Sequence, residues 1–121
     1  MPKDGNCLFH ALASFFEHPG IRHDVLRRMI VHYIYQNPEY FEVDVTAEGY
    51  ADLDHYCENM ARDRYWGDGT VLQAFAMLFQ VTVYVYYSEH EPPTCLQKFD
   101  DDRPVLAVLL KGNHYERIIG L

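Results

Sequence analysis

Val81-Thr82-Val83-Tyr84-Val85-Tyr86-Tyr87 contains only β-branched and aromatic residues, so it reads as a strand. Both of its faces are apolar, which places that strand at the centre of a sheet rather than at its edge. Downstream, residues 88–93 hold two prolines and form an exposed loop, residues 95–98 make a weak strand, and Asp100-Asp101-Asp102 is a polar turn. Val105-Leu106-Ala107-Val108-Leu109-Leu110 is a second fully apolar strand. Lys111-Gly112-Asn113 then turns the chain, so residues 114–119 pair back as a hairpin.

Upstream the period changes from two to that of a helix. Val71, Leu72, Phe75, Ala76, Leu78 and Phe79 mark a short, deeply buried helix from Thr70, ended by Gln80. Asp52 or Asp54 caps a helix that turns Tyr56 and Met60 inward and runs to about residue 64. Residues 40–45 are ambiguous, and 47–49 read as a loop. Val25, Leu26, Met29, Ile30, Tyr33 and Ile34 repeat at i, i+4 and i+8 in the clearest amphipathic helix, from His23 to the Asn37-Pro38 stop. Leu8, Leu12, Phe15 and Phe16 give a first helix over residues 7–17, closed by His18-Pro19-Gly20. Helices followed by strands, with no long crossover helix between the strands, predict an α+β fold with helices packed on a small mixed or antiparallel sheet.

The 121 residues, 49% hydrophobic and 15% aromatic, suit one domain over residues 1–121. Cys7, Cys57 and Cys95 leave at least one thiol unpaired and match no zinc or thioredoxin spacing, which favours a reducing compartment. No apolar run is long enough for a leader or a membrane span, so the expectation is a soluble, cytoplasmic protein without a membrane partner. A net charge of −8 argues against nucleic acid, whose binding depends on Lys and Arg neutralising phosphates, and favours a basic partner. The acids concentrate in Glu39, Glu42, Asp44, Glu48, Asp52, Asp54 and Glu58, a stretch with no Lys or Arg. Such a run serves either as a solvated face or as a docking surface.

Asp4-Gly5-Asn6-Cys7-Leu8-Phe9-His10 carries a thiol directly from a turn into a helix. A helix start favours a thiolate, because unpaired N–H groups and the positive end of the dipole face it. Gly5 admits backbone conformations that aim N–H groups at a developing oxyanion. A buried cysteine at a helix cap fits the same residues. A cysteine nucleophile needs a base, and of the histidines His114 stands apart because it follows a tight turn and opens a strand. Glu116 lies two residues on, hence on the same face, where its carboxylate accepts from Nδ1–H and orients the ring. A surface His beside a neighbouring Glu would look alike. No His-Glu-x-x-His or paired Cys-x-x-Cys points to a metal, and Trp66-Gly67-Asp68-Gly69 lacks the Lys-Ser/Thr of a phosphate loop, so no cofactor is expected.

Asp4-Gly5-Asn6-Cys7-Leu8-Phe9, then Tyr65-Trp66-Gly67 ahead of the apolar helix and Val83-Tyr84-Val85-Tyr86, then Asn113-His114-Tyr115 resemble the ovarian-tumour (OTU) cysteine proteases in order. Ile34-Tyr35-Gln36-Asn37-Pro38-Glu39-Tyr40-Phe41 matches as well, so the resemblance spans nearly the whole chain. It implies a fold of the papain-like cysteine protease class and a deubiquitinase; a monomer is expected. It further implies that Cys7 attacks the carbonyl joining the terminal glycine of ubiquitin, or of a ubiquitin-like modifier, to a lysine amine. His114 is then base and acid, and the loop of Asp4, with Cys7 N–H, forms the oxyanion hole. In such proteins the orienting acid is the motif aspartate, here Asp4, or the residue two beyond the histidine, usually Asp or Asn. Glu116 departs from that pattern by one methylene, which leaves Asp4 as the alternative orienter. Val71 departs too, standing where the family commonly has Glu. The arginines of a ubiquitin tail would give the acidic stretch a partner. The alternative is a ubiquitin-binding module with little turnover, its base misplaced by Glu116.

Overall fold

The computed structural model describes residues 5–16, 21–88, 90–100 and 102–118. Its helices are α1 (Cys7–Ala13), α2 (His23–Gln36), α3 (Pro38–Ala47), α4 (Leu53–Met60) and α5 (Gly69–Phe79). The strands β1 (Thr82–Tyr86), β2 (Thr94–Gln97), β3 (Val105–Lys111) and β4 (His114–Ile118) follow in one sheet of order β2-β1-β3-β4. β1 runs parallel to β3, whereas β1–β2 and β3–β4 are antiparallel, so the sheet is mixed. The apolar run at Val81 does occupy the interior of the sheet. The parallel crossover from β1 to β3 passes through edge strand β2 rather than through a helix.

α5 packs on β1 and β2 with one side and on α2 with the other, so Val71, Leu72, Phe75 and Ala76 are buried. Asp68 starts this helix by accepting from Val71 N–H at 3.0 Å, and Gln80 ends it in the left-handed region at φ 54°. Phe75 also meets Phe15, Phe16 and Phe79 at ring-centroid distances of 6.0, 6.0 and 5.1 Å. Phe75 is buried and the other three rings are half-buried against it, so this cluster fixes the chain beyond α1 although the helix itself stops at Ala13.

Two further elements differ from the sequence reading. Residues 38–47 form a helix because Pro38, whose missing N–H is no loss in a first turn, begins α3 directly after Asn37 closes α2. Only Phe41 and Val45 of α3 are buried, too thin a stripe for periodicity to reveal. α4 ends at Met60, short of residue 64, and Arg64 itself takes a left-handed φ of 70°. Of the two candidate caps, Asp52 is the one that accepts from the His55 N–H, at 2.8 Å.

Candidate active site

β3 and β4 are joined by the two-residue loop Gly112-Asn113, with Lys111 paired to His114. Gly112 has φ +61° and Asn113 is not in the left-handed region, the requirement of a type II′ hairpin turn. This turn presents the start of β4 to α1, the helix that begins with Cys7. Cys7 Sγ donates toward the Asn113 carbonyl at 3.6 Å and accepts from the Tyr115 N–H at 3.5 Å. The thiol therefore touches the backbone on both sides of His114. It is buried, with 1% of Cys7 exposed.

His114 Nε2 lies 3.1 Å from Glu116 Oε1. An ionised carboxylate only accepts, so Nε2 carries the proton and Nδ1 of the neutral ring presents a lone pair. From the sequence the acid is expected at Nδ1 instead. The correction follows from reach: neighbours on one face of a strand stand side by side, and the extra methylene of Glu116 carries its carboxylate to the far nitrogen. Nδ1 is left buried and without a hydrogen-bond partner. Asp4, the other candidate orienter and part of the proposed oxyanion loop, lies outside the described residues, as does His18. His10 is directed elsewhere, its ring centroid 4.1 Å from that of His23 on α2.

Gly5 serves a different purpose from the one its flexibility suggests. A Cβ there would stand 1.4 Å from the Arg64 carbonyl oxygen, so the glycine is required by backbone contact and not by a positive φ. Gly67 is similar: a Cβ would meet Leu8 Cδ2 at 2.7 Å, and its absence lets the Trp66-Gly67 loop rest on α1.

That loop forms one wall of a hollow of about 190 Å³, with Gly112, Asn113 and Tyr115 opposite. Trp66 is 41% exposed there, so it lines this hollow together with Asn113 and Tyr115, the neighbours of His114, instead of filling the core. Its exposure could not be read from the sequence, where a lone Trp before a helix looks like packing. Burial, followed by the charge of Asp68, pushes the Tyr115 phenol up to about 12. Asp68 is itself raised by burial, against the lowering effect of the Val71 N–H and the Tyr56 hydroxyl. A larger hollow between α2 and α4, lined by Arg28, His32, Cys57 and Glu58, shares no residue with the hairpin that carries His114.

The OTU-like cysteine protease family model matches residues 2–115. The chain belongs to the OTU family. This OTU chain is 29% identical over 121 residues to OVARIAN TUMOR DOMAIN-containing deubiquitinating enzyme 6 of Arabidopsis thaliana, covering 98% of the chain and 23% of that protein. It spans between 10% and 30% of the length of the first curated relatives it matches. The solved OTUD1 OTU domain shares 25% identity with it at a TM-score of 0.75, over 97% of this chain and 81% of that one. An OTU domain solved in complex with ubiquitin has the same fold, with 22% identity and a TM-score of 0.74 over 97% of this chain and 65% of that one.

Proposed function

We propose that this OTU chain carries out cysteine-type deubiquitination, hydrolysing the bond after the C-terminal glycine of ubiquitin or a ubiquitin-like modifier. The observation that carries the reading is the position of the thiol between Asn113 O and Tyr115 N–H, the backbone groups flanking His114. Cys7 gives its proton to His114 Nδ1, and the sulfur attacks the glycine carbonyl. Backbone N–H groups of the turn leading into α1 meet the oxyanion. The imidazolium, held through Nε2 by Glu116, then passes its proton to the leaving lysine amine. Water, deprotonated at the same Nδ1, attacks the thioester; the C–S bond breaks with the Cys7 thiolate as leaving group, which takes back the imidazolium proton, and the glycine carboxylate is released as product.

The narrow hollow beside Trp66, with Gly67 and Gly112 in its walls, suits a substrate whose last residues lack side chains. The name of the Arabidopsis relative and the ubiquitin complex of a similar OTU domain support ubiquitin as the partner. Burial of the thiol favours a second reading, a ubiquitin-binding module that seldom uncovers Cys7. Ubiquitin bearing a C-terminal electrophile, followed by a di-ubiquitin panel, separates the two. Labelling of Cys7 with cleavage, both lost in Cys7→Ala, is expected of the hydrolase; binding of ubiquitin without cleavage would leave the module.

A further inference from the structure

We propose that Arg27 is a positioning residue for the nucleophile, acting through the turn at Gly5-Asn6; this rests on the reading of Cys7 as the attacking group. Arg27 lies on α2 and is only 3% exposed. Its Nη2 donates to Asn6 Oδ1 at 2.7 Å, to Tyr65 O at 2.9 Å and to Gly5 O at 3.3 Å, while Nη1 donates to Met60 O at 2.8 Å. The guanidinium carbon also stands 4.0 Å from the centroid of Phe9, two residues after Cys7. One planar cation thus ties both flanks of the thiol to the end of α4 and to the loop that carries Trp66.

A charge that never leaves its protonated form is costly to bury, and an apolar side chain would fill the same space without that cost. What the arginine adds is direction: two of these bonds hold the two residues before Cys7, while the other two fix the guanidinium against Met60 and Tyr65. Asn6 reveals the consequence. An asparagine at a helix start ordinarily accepts from the N–H groups of the first turn, but Asn6 makes no such cap bond. Its Oδ1 instead accepts from Arg27 and from Arg64 N–H at 2.9 Å, and its Nδ2 donates to Asp63 at 3.0 Å. The side chain is drawn away from α1, so it does not take the N–H groups next to the thiol. The same bonds hold Arg64 in its left-handed conformation, with its carbonyl against Gly5. Displacing the turn by about 1 Å would misalign the sulfur with the carbonyl under attack, an error that costs roughly a hundredfold in rate.

The test compares Arg27→Lys and Asn6→Ala with the wild type. Melting temperature reports folding, a fluorogenic C-terminal ubiquitin conjugate gives kcat and KM, and iodoacetamide alkylation, followed at Cys7 by peptide mapping, reports thiol reactivity without ubiquitin. In both variants kcat should fall about 10- to 100-fold with KM within about twofold, and Cys7 alkylation at neutral pH should slow severalfold in fully folded protein. A folded variant of either kind with wild-type kcat and wild-type alkylation overturns the proposal. So does an activity loss that only follows the unfolded fraction. If Arg27→Lys does not fold, Asn6→Ala decides; if neither folds, Arg27 is a stability residue and the proposal falls. Altered alkylation in a protein whose wild type ignores ubiquitin would instead remove the substrate assignment and leave the positioning role standing.

Discussion

The Tyr115 N–H reaches the Cys7 sulfur at 3.5 Å although 108 positions separate the two residues. At the other end of α1 the Arg117 guanidinium donates to the Ser14 carbonyl at 2.6 Å and lies 5.4 Å from the Phe15 ring centroid. The helix is therefore fastened to β4 at both its start and its finish. Since β4 also carries His114 and Glu116, thiol, imidazole and carboxylate sit on two elements fastened together, a fixed geometry of the kind that proton transfer over hydrogen-bond distances would need.

Glu116 should matter for rate and little for stability. Its side chain is 55% exposed, and an ion pair this open contributes about 0–1 kcal/mol. Glu116→Ala is expected to lower kcat about 10- to 100-fold, within the usual range for a group supporting general base catalysis, while the melting temperature moves little. Steady-state kinetics beside thermal unfolding give both numbers. Wild-type kcat in this variant would pass the orienting role to Asp4.

Gly5 and Gly69 should respond oppositely to alanine. At Gly5 the new methyl would overlap the Arg64 carbonyl, so Gly5→Ala should cost at least about 1–3 kcal/mol and reduce activity by moving the turn. At Gly69 nothing lies within 4 Å, and Gly69→Ala should stabilise by roughly 0.4–1 kcal/mol through a less disordered unfolded chain. Urea midpoints of the two variants check the contrast.

Glu42, Asp44 and Glu48 are exposed on and just after α3. If this face receives a basic ubiquitin surface, replacing all three with lysine should raise KM and weaken its dependence on salt, with kcat nearly unchanged. Unchanged kinetics at every ionic strength would make the run a solvated face.

Cys57 gives a pH signature far from the site. Burial, then the charge of Asp54, pushes its thiol from the ordinary 9.0 up to about 11. Between those values the unfolded chain has released a proton that the native state still holds, so stability falls as pH rises through that window. Cys57→Ala should show a shallower decline, measured as the change in denaturation midpoint between pH below 9.0 and pH within the window. Parallel declines would contradict the assigned cause.

Much of the architecture was legible because it rests on local patterns. The Val81 run marked an interior strand, Asp52 was among the candidate caps, and a hairpin followed from Lys111-Gly112-Asn113 between two strands. α3 was not legible, since two buried side chains in ten residues give almost no period. Arg27 was hidden for a different reason. On a helix surface an arginine ordinarily faces water, and only the meeting of α2 with Gly5, Met60 and Tyr65 encloses it.

Taken alone, the sequence determined the order of the helices and strands other than α3, the thiol at the entry to a helix, and the histidine and glutamate two residues apart on one strand face. These depend on backbone preferences and side-chain period, which act over a few residues. Only the tertiary structure decided that Glu116 meets Nε2, that the thiol rests against the backbone around His114, and that Asn6 turns from its helix toward Arg27. Those contacts join segments far apart in the chain, and their distances are set by how α1, α2 and β4 pack together, which no local pattern encodes.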